Sequence, residues 1–101
     1  MAVDTNLDSA TKTLTIKISG RFDFGVHQDF RKASEQASND IKTIVVDMGG
    51  VDYVDSSALG MLLVLRDKVG ESKDAVRIKN TKPDVSKIFK IANFDKLFTI
   101  E

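Results

Sequence analysis

Asp55-Ser56-Ser57-Ala58-Leu59-Gly60 lies between the apolar run Thr43-Ile44-Val45-Val46-Asp47-Met48 and a Leu- and Met-rich stretch that continues to Val69. The run before it is short, apolar and rich in β-branched residues, which predicts a strand buried on both faces. The stretch after it, Ser56 to Val69, has no Pro and is long enough for about four helical turns. The six residues therefore form a strand-to-helix joint with two hydroxyls at its tip.

Asp55 suits the N-cap, because its carboxylate can accept from the otherwise orphan amides of Ser57 or Ala58 and its charge complements the helix dipole. Val54 and Leu59 take the staple positions, while Ala58 at the third helical position leaves the capping box incomplete. Ser56 and Ser57 become the first two helical residues, where free amides favour an added anion.

Working outward, Ala2 to Asp8 forms a weakly patterned first strand, Asp8-Ser9-Ala10-Thr11-Lys12 a turn, and Thr13 to Ser19 a strand with Leu14, Ile16 and Ile18 on one face. Gly20 is expected to end that strand, and Arg21-Phe22-Asp23-Phe24-Gly25 to form a loop into a helix from Val26 to Ser38. Val26, Phe30, Ala33 and Ala37 mark its buried face. Asn39-Asp40 breaks it, and the central strand runs from Ile41 to Met48. After the loop Gly70-Glu71-Ser72-Lys73-Asp74 come a strand from Ala75 to Lys79 and a helix opened by Pro83, with Val85, Ile88, Phe89 and Ala92 as its stripe. Asn93 suits a left-handed terminator. Phe94, Leu97, Phe98 and Ile100 close the core with a last short strand. This order predicts an α/β sandwich: one domain with a mixed sheet and helices packed against it.

The chain has 101 residues, 42% hydrophobic and 30% charged, enough for one core. Fifteen basic and fifteen acidic residues balance to a net charge of zero, so bulk electrostatics give no case for direct nucleic-acid binding or an anionic membrane. Cysteine is absent, which removes disulfides, thiolate metal sites and a Cys nucleophile. No apolar run approaches membrane-spanning length, and the first residues lack a basic region followed by an apolar core, so a cytoplasmic location is expected.

Enzymatic chemistry finds little support. A hydrolytic Ser would need a base, and the one histidine, His27, opens the first predicted helix; no Gly-x-Ser-x-Gly elbow is present. Walker and Rossmann glycine patterns are missing too. Asp47, Asp52 and Asp55 lie close enough in sequence to suggest a Mg²⁺ site, but one cap and two loop carboxylates is the plainer account. The expectation is a non-enzyme with no cofactor and no metal.

The stretch Ile44-Val45-Val46-Asp47 with Val51-Asp52-Tyr53-Val54-Asp55-Ser56-Ser57-Ala58-Leu59-Gly60 resembles the signature of STAS domains of the anti-sigma factor antagonist family. Gly20-Arg21-Phe22-Asp23 resembles the family's Gly-x-Leu-Asp turn, and Val85-Ser86-Lys87-Ile88-Phe89 with Phe94-Asp95-Lys96-Leu97-Phe98 resembles its closing helix. Ala58 and Asn93 each stand where the family usually has Gly, and both suit their positions. The resemblance implies that Ser56 is the phosphoacceptor, with Ser57 as the alternative. It also implies an anti-sigma factor/serine kinase of histidine-kinase-like ATPase fold, bound by the unphosphorylated protein and released on phosphorylation, and a PP2C-type phosphatase that reverses the mark.

On the central helix, Leu59, Leu62, Leu63, Leu65 and Val69 should face the sheet, Gly60, Val64 and Asp67 should point away, and Met61 and Lys68 should lie at the edge. Met61 and Val64, with Asp23, Asp55, Ser56 and Ser57, then form the expected docking face. The alternative function is a permanent subunit of a larger assembly, such as a lipid-transport complex, in which the serines only cap a helix.

Overall fold

The computed structural model describes residues 3–37, 41–70 and 75–101. Among them are five strands, β1 (Val3–Asp8), β2 (Thr13–Phe22), β3 (Thr43–Val54), β4 (Val76–Lys79) and β5 (Thr99–Ile100). Three α-helices join them: α1 (His27–Ser34), α2 (Ser56–Val69) and α3 (Pro83–Ile91). The strands lie in sequence order in one sheet; β1 is antiparallel to β2, and every later neighbour is parallel. The expected α/β sandwich with a mixed sheet is the observed fold.

All three helices contribute to one apolar cluster. Phe30 and Ala33 of α1, Leu62 and Leu65 of α2, and Val85 and Phe89 of α3 pack with Leu14, Ile16, Ile18, Ile44, Val46, Met48 and Ile78 of the sheet. The opposite sheet face holds Thr15, Lys17, Val45, Asp47, Arg77 and Lys79, none of them buried. β3 therefore alternates between a buried and a wet face, contrary to the expectation of burial on both sides. Its apolar look comes from Val45, whose neighbours across the wet face are Thr15 and Arg77. A second row of that face, Asp4, Lys17, Asp47 and Lys79, alternates in sign across four strands.

Several boundaries also differ. β2 continues through Gly20, which adopts φ +81°, and ends at Phe22, a fully buried core residue. β3 continues six residues beyond Met48, through Gly49-Gly50 to Val54. Against β2 it carries two register shifts, so ten residues of β2 run alongside twelve of β3. Each shift inserts an extra residue, as a β-bulge does, and brings Val51 and then Val54 back to the core side. Gly50 sits where the strands come close: a Cβ there would lie 2.9 Å from the Ser19 Cβ. The first helix is shorter than expected, with a 3₁₀ turn over Phe24–Val26 before α1, and its expected end at Ser38 lies outside the described residues, as do Ala2, the Asn39-Asp40 break and most of the loop after Gly70. Asn93 is left-handed at φ 62° and separates α3 from the closing turn Phe94–Lys96, as expected.

Candidate functional site

Phe22 pairs with Val54, so β2 and β3 end side by side and the next residue of each strand, Asp23 and Asp55, leaves the sheet at the same level. Both are extended, and each caps the helical turn that begins just after it. Asp23 Oδ1 accepts from the Gly25 amide at 2.9 Å and starts the 3₁₀ turn; Asp55 Oδ1 accepts from the Ala58 amide at 3.0 Å and starts α2. The Arg21 guanidinium lies 3.3 Å from Asp23 Oδ2 and 4.0 Å above the Tyr53 ring, which ties the two strand ends together.

The Asp55 cap has a second partner. Ser57 Oγ donates to Asp55 Oδ1 at 2.6 Å. That hydroxyl, followed by the Ala58 amide and more weakly by the Ser57 and Phe24 amides, holds the Asp55 carboxyl below the usual carboxylate range. Ser56 is the first residue of α2 and is exposed, whereas Ser57 is half-buried. The two serines thus differ: one hydroxyl faces solvent and the other completes the cap. Val54 is buried and Leu59 packs against the core, as a staple requires.

Asp47 is not part of this site. It takes the Gly49 amide at 2.9 Å and the Asn80 side-chain amide at 3.1 Å, and the Gly49 bond is the main cause of its lowered pKa. Asp47 thereby fastens the end of β4 to β3, and Asp52 is an exposed residue of β3 itself.

Along α2 two positions exchange roles. Met61 is only 8% exposed and belongs to the core, while Leu63 is 37% exposed. The buried stripe is Ala58, Met61, Leu62 and Leu65, rotated by part of a turn from the Leu-rich side, because the N-cap at Asp55 fixes Ala58 inward. Met61 therefore reaches the surface only as part of a groove floor, and Val64, 69% exposed, is the apolar residue that stands free beside the serines.

That groove, of about 550 Å³, runs between the 3₁₀ turn, α1 and α2. Phe30, Met61 and Leu65 form its buried base, Phe24 and Val64 flank it, and Ser57 and Arg31 also line it. Phe24 is 70% exposed and stacks on His27, with ring centroids 5.2 Å apart and planes 16° from parallel. From the sequence alone Phe24 is a loop residue and His27 the opening residue of a helix, with nothing to mark their stack. The available signal is Gly60, an unexplained glycine inside a helical run.

A one-sided mixed sheet whose central strand delivers a capped pair of serines to a helix N-terminus defines an α/β domain of the anti-sigma factor antagonist fold. The family model described as "Mlab, STAS domain" matches residues 5–99, and the chain belongs to the STAS family. A STAS-domain containing protein of Pseudomonas aeruginosa (strain UCBPP-PA14) is 47% identical over 100 residues, covering 99% of each chain. Among solved structures, an anti-sigma factor antagonist from Mycobacterium paratuberculosis superimposes with a TM-score of 0.79 at 18% identity, over 97% of this chain and 84% of that one. The antagonist SpoIIAA in its unphosphorylated form gives 0.74 at 18% identity, over 99% and 87%. At such identities the structures speak for the fold alone. No helix among the described residues is long and apolar enough to cross a membrane.

Proposed function

We propose that this chain is a non-enzymatic switch protein of the cytoplasm, like an anti-sigma factor antagonist. It binds an anti-sigma factor/serine kinase of histidine-kinase-like ATPase fold while unphosphorylated, and phosphorylation at Ser56 releases it; a PP2C-type phosphatase restores binding. The observation that carries this reading is the contrast between the serines. Ser56 is exposed at the first position of α2, while the Ser57 hydroxyl is committed to Asp55 at 2.6 Å.

A phosphate on Ser56 adds a charge of about −1.5 to −2, and the free amides and dipole of α2 accommodate it without unfolding the helix. Asp55 is already anionic and adjacent, so a partner docked over the helix tip meets concentrated negative charge. An interface penalty of about 3 kcal/mol weakens binding more than a hundredfold, which suffices for a switch.

The test is peptide mass spectrometry of the protein isolated from its native cell, as wild type, Ser56→Ala and Ser57→Ala. Phosphate on Ser56 that persists in Ser57→Ala and vanishes in Ser56→Ala is the expected result. Absence of phosphate under every growth condition counts against the switch.

The second reading, a permanent subunit of a larger assembly such as a lipid-transport complex, is favoured by the same Ser57 bond, since at least one serine already serves structure. It predicts a stoichiometric complex that survives purification and is indifferent to Ser56→Asp.

A further inference from the structure

We propose that the groove beside Ser57 is a socket for one large apolar side chain of a protein partner, presented on a segment with acidic flanks. This rests on α2 being the partner-binding element, but not on phosphorylation.

Gly60 is the first observation. An interior glycine destabilises a helix relative to alanine, and folding does not ask for one here. Gly60 has no left-handed φ, and a Cβ on it would meet nothing within 4 Å. What the missing side chain does is leave the α2 backbone bare where it lines the groove. Beside it stand the two most exposed apolar residues of this region, Phe24 at 70% and Val64 at 69%. Phe24 is held in place by its stack on His27, so the flank exists before anything binds. A preformed apolar cleft with an exposed aromatic flank is the surface on which interface anchors concentrate binding energy.

Charge selects the occupant. Arg31 lines the groove, and no carboxylate does so among the described lining residues. Its neighbour Glu35, one helical turn on and 3.7 Å away, forms an exposed pair that holds the guanidinium only weakly. An incoming carboxylate therefore competes at Arg31 only with the weakly held Glu35.

The experiment titrates isotope-labelled protein with a capped amphipathic peptide of about 16 residues, long enough for partial helicity, carrying a Leu/Phe stripe flanked by Glu. A twin carries Lys in place of Glu. The expected result is saturable amide shifts at Phe24, His27, Gly60 and Val64 with the Glu peptide, and affinity lower by about tenfold for the Lys twin. Arg31→Glu should narrow or reverse that preference, and Gly60→Phe, which fills the socket, should abolish the shifts. Should Gly60→Phe fail to fold, Val64→Glu at an exposed position must weaken the Glu peptide instead. Shifts that never saturate, equal affinity for both peptides, or indifference to these substitutions overturn the socket. The titration uses unphosphorylated protein, whereas the switch is read by mass spectrometry of Ser56, so loss of the socket and loss of the phosphorylation switch are separate outcomes.

Discussion

Ser57 Oγ and the Ala58 amide converge on the same oxygen, Asp55 Oδ1, at 2.6 and 3.0 Å. One carboxylate thus fixes where α2 starts, which way Ala58 turns and where the Ser57 hydroxyl points. Asp55→Ala removes both bonds and leaves the first amides of α2 to water. A loss of about 1 kcal/mol is expected, with about 2 as the upper range for caps. For a domain of this size that corresponds to a melting temperature lower by about 4–8 °C per kcal/mol. Ser57→Ala keeps the backbone cap and should cost less; an equal loss from both would mean that the hydroxyl, not the amide, carries the cap.

The carboxyls at Asp55 and Asp47 both contribute to the acid limb of stability. Both titrate below their ordinary value in the folded chain, chiefly through the Ser57 hydroxyl and the Gly49 amide respectively. A depressed folded pKa means that the unfolded chain binds the proton more readily. The stabilisation is therefore complete above the unfolded value of about 3.9 and disappears as pH falls through the folded one. Urea midpoints of wild type and Asp55→Asn should differ at neutral pH and converge at low pH. Asn caps nearly as well as Asp, so the contrast isolates the charge. A gap that stays constant with pH would assign it to shape rather than ionisation.

Two glycines should respond oppositely to alanine. At Gly60 the added methyl meets nothing within 4 Å, so Gly60→Ala is expected to gain up to about 1 kcal/mol in thermal or urea unfolding. At Gly50 it would lie 2.9 Å from the Ser19 Cβ and 3.2 Å from its Cα, and Gly50→Ala should lose about 1–3 kcal/mol as the strands are forced apart. Destabilisation by Gly60→Ala would mean that the helix itself needs that glycine, and the socket would lose its first support.

Charge at the helix tip should act on binding without acting on the fold. Ser56→Asp places a carboxylate on the exposed first residue of α2, a position that favours anions, so its melting temperature should match or exceed that of wild type. Its affinity for the proposed partner, measured by calorimetry, should fall by tenfold or more toward the hundredfold expected of a true phosphate. Unchanged affinity would argue for the permanent-subunit reading.

The joint itself is legible in the sequence because each residue of Val54-Asp55-Ser56-Ser57-Ala58-Leu59 has a local role: staple, cap, first turn. Local chemistry also reveals Pro83 at the start of α3 and Asn93 after its end. What escapes is set by neighbours distant in sequence. The pattern of β3 stops at Met48 because Gly49-Gly50 and Asp52-Tyr53 break the period of two; only pairing with β2 turns those breaks into bulges. Leu63 and Met61 exchange places because hydrophobicity alone cannot fix a helix's rotation when Leu and Met both line its sides. Phe24 gives no sign of its role because its groove exists only once α1 packs beside α2.

The bulges make the position of the serine pair a matter of counting. Thr13 stands opposite Thr43 and Phe22 opposite Val54, so two surplus residues in β3 bring Asp55 level with Asp23. Deleting either member of Gly49-Gly50 would shift everything beyond by one place. With side chains alternating from face to face, Val51 and Val54 would then compete with polar neighbours for the core. Length changes in the turn around Ser9 and Ala10 leave that count untouched. From Thr43 to Ser56 the number of residues is therefore held as firmly as the identities of Gly50 and Asp55.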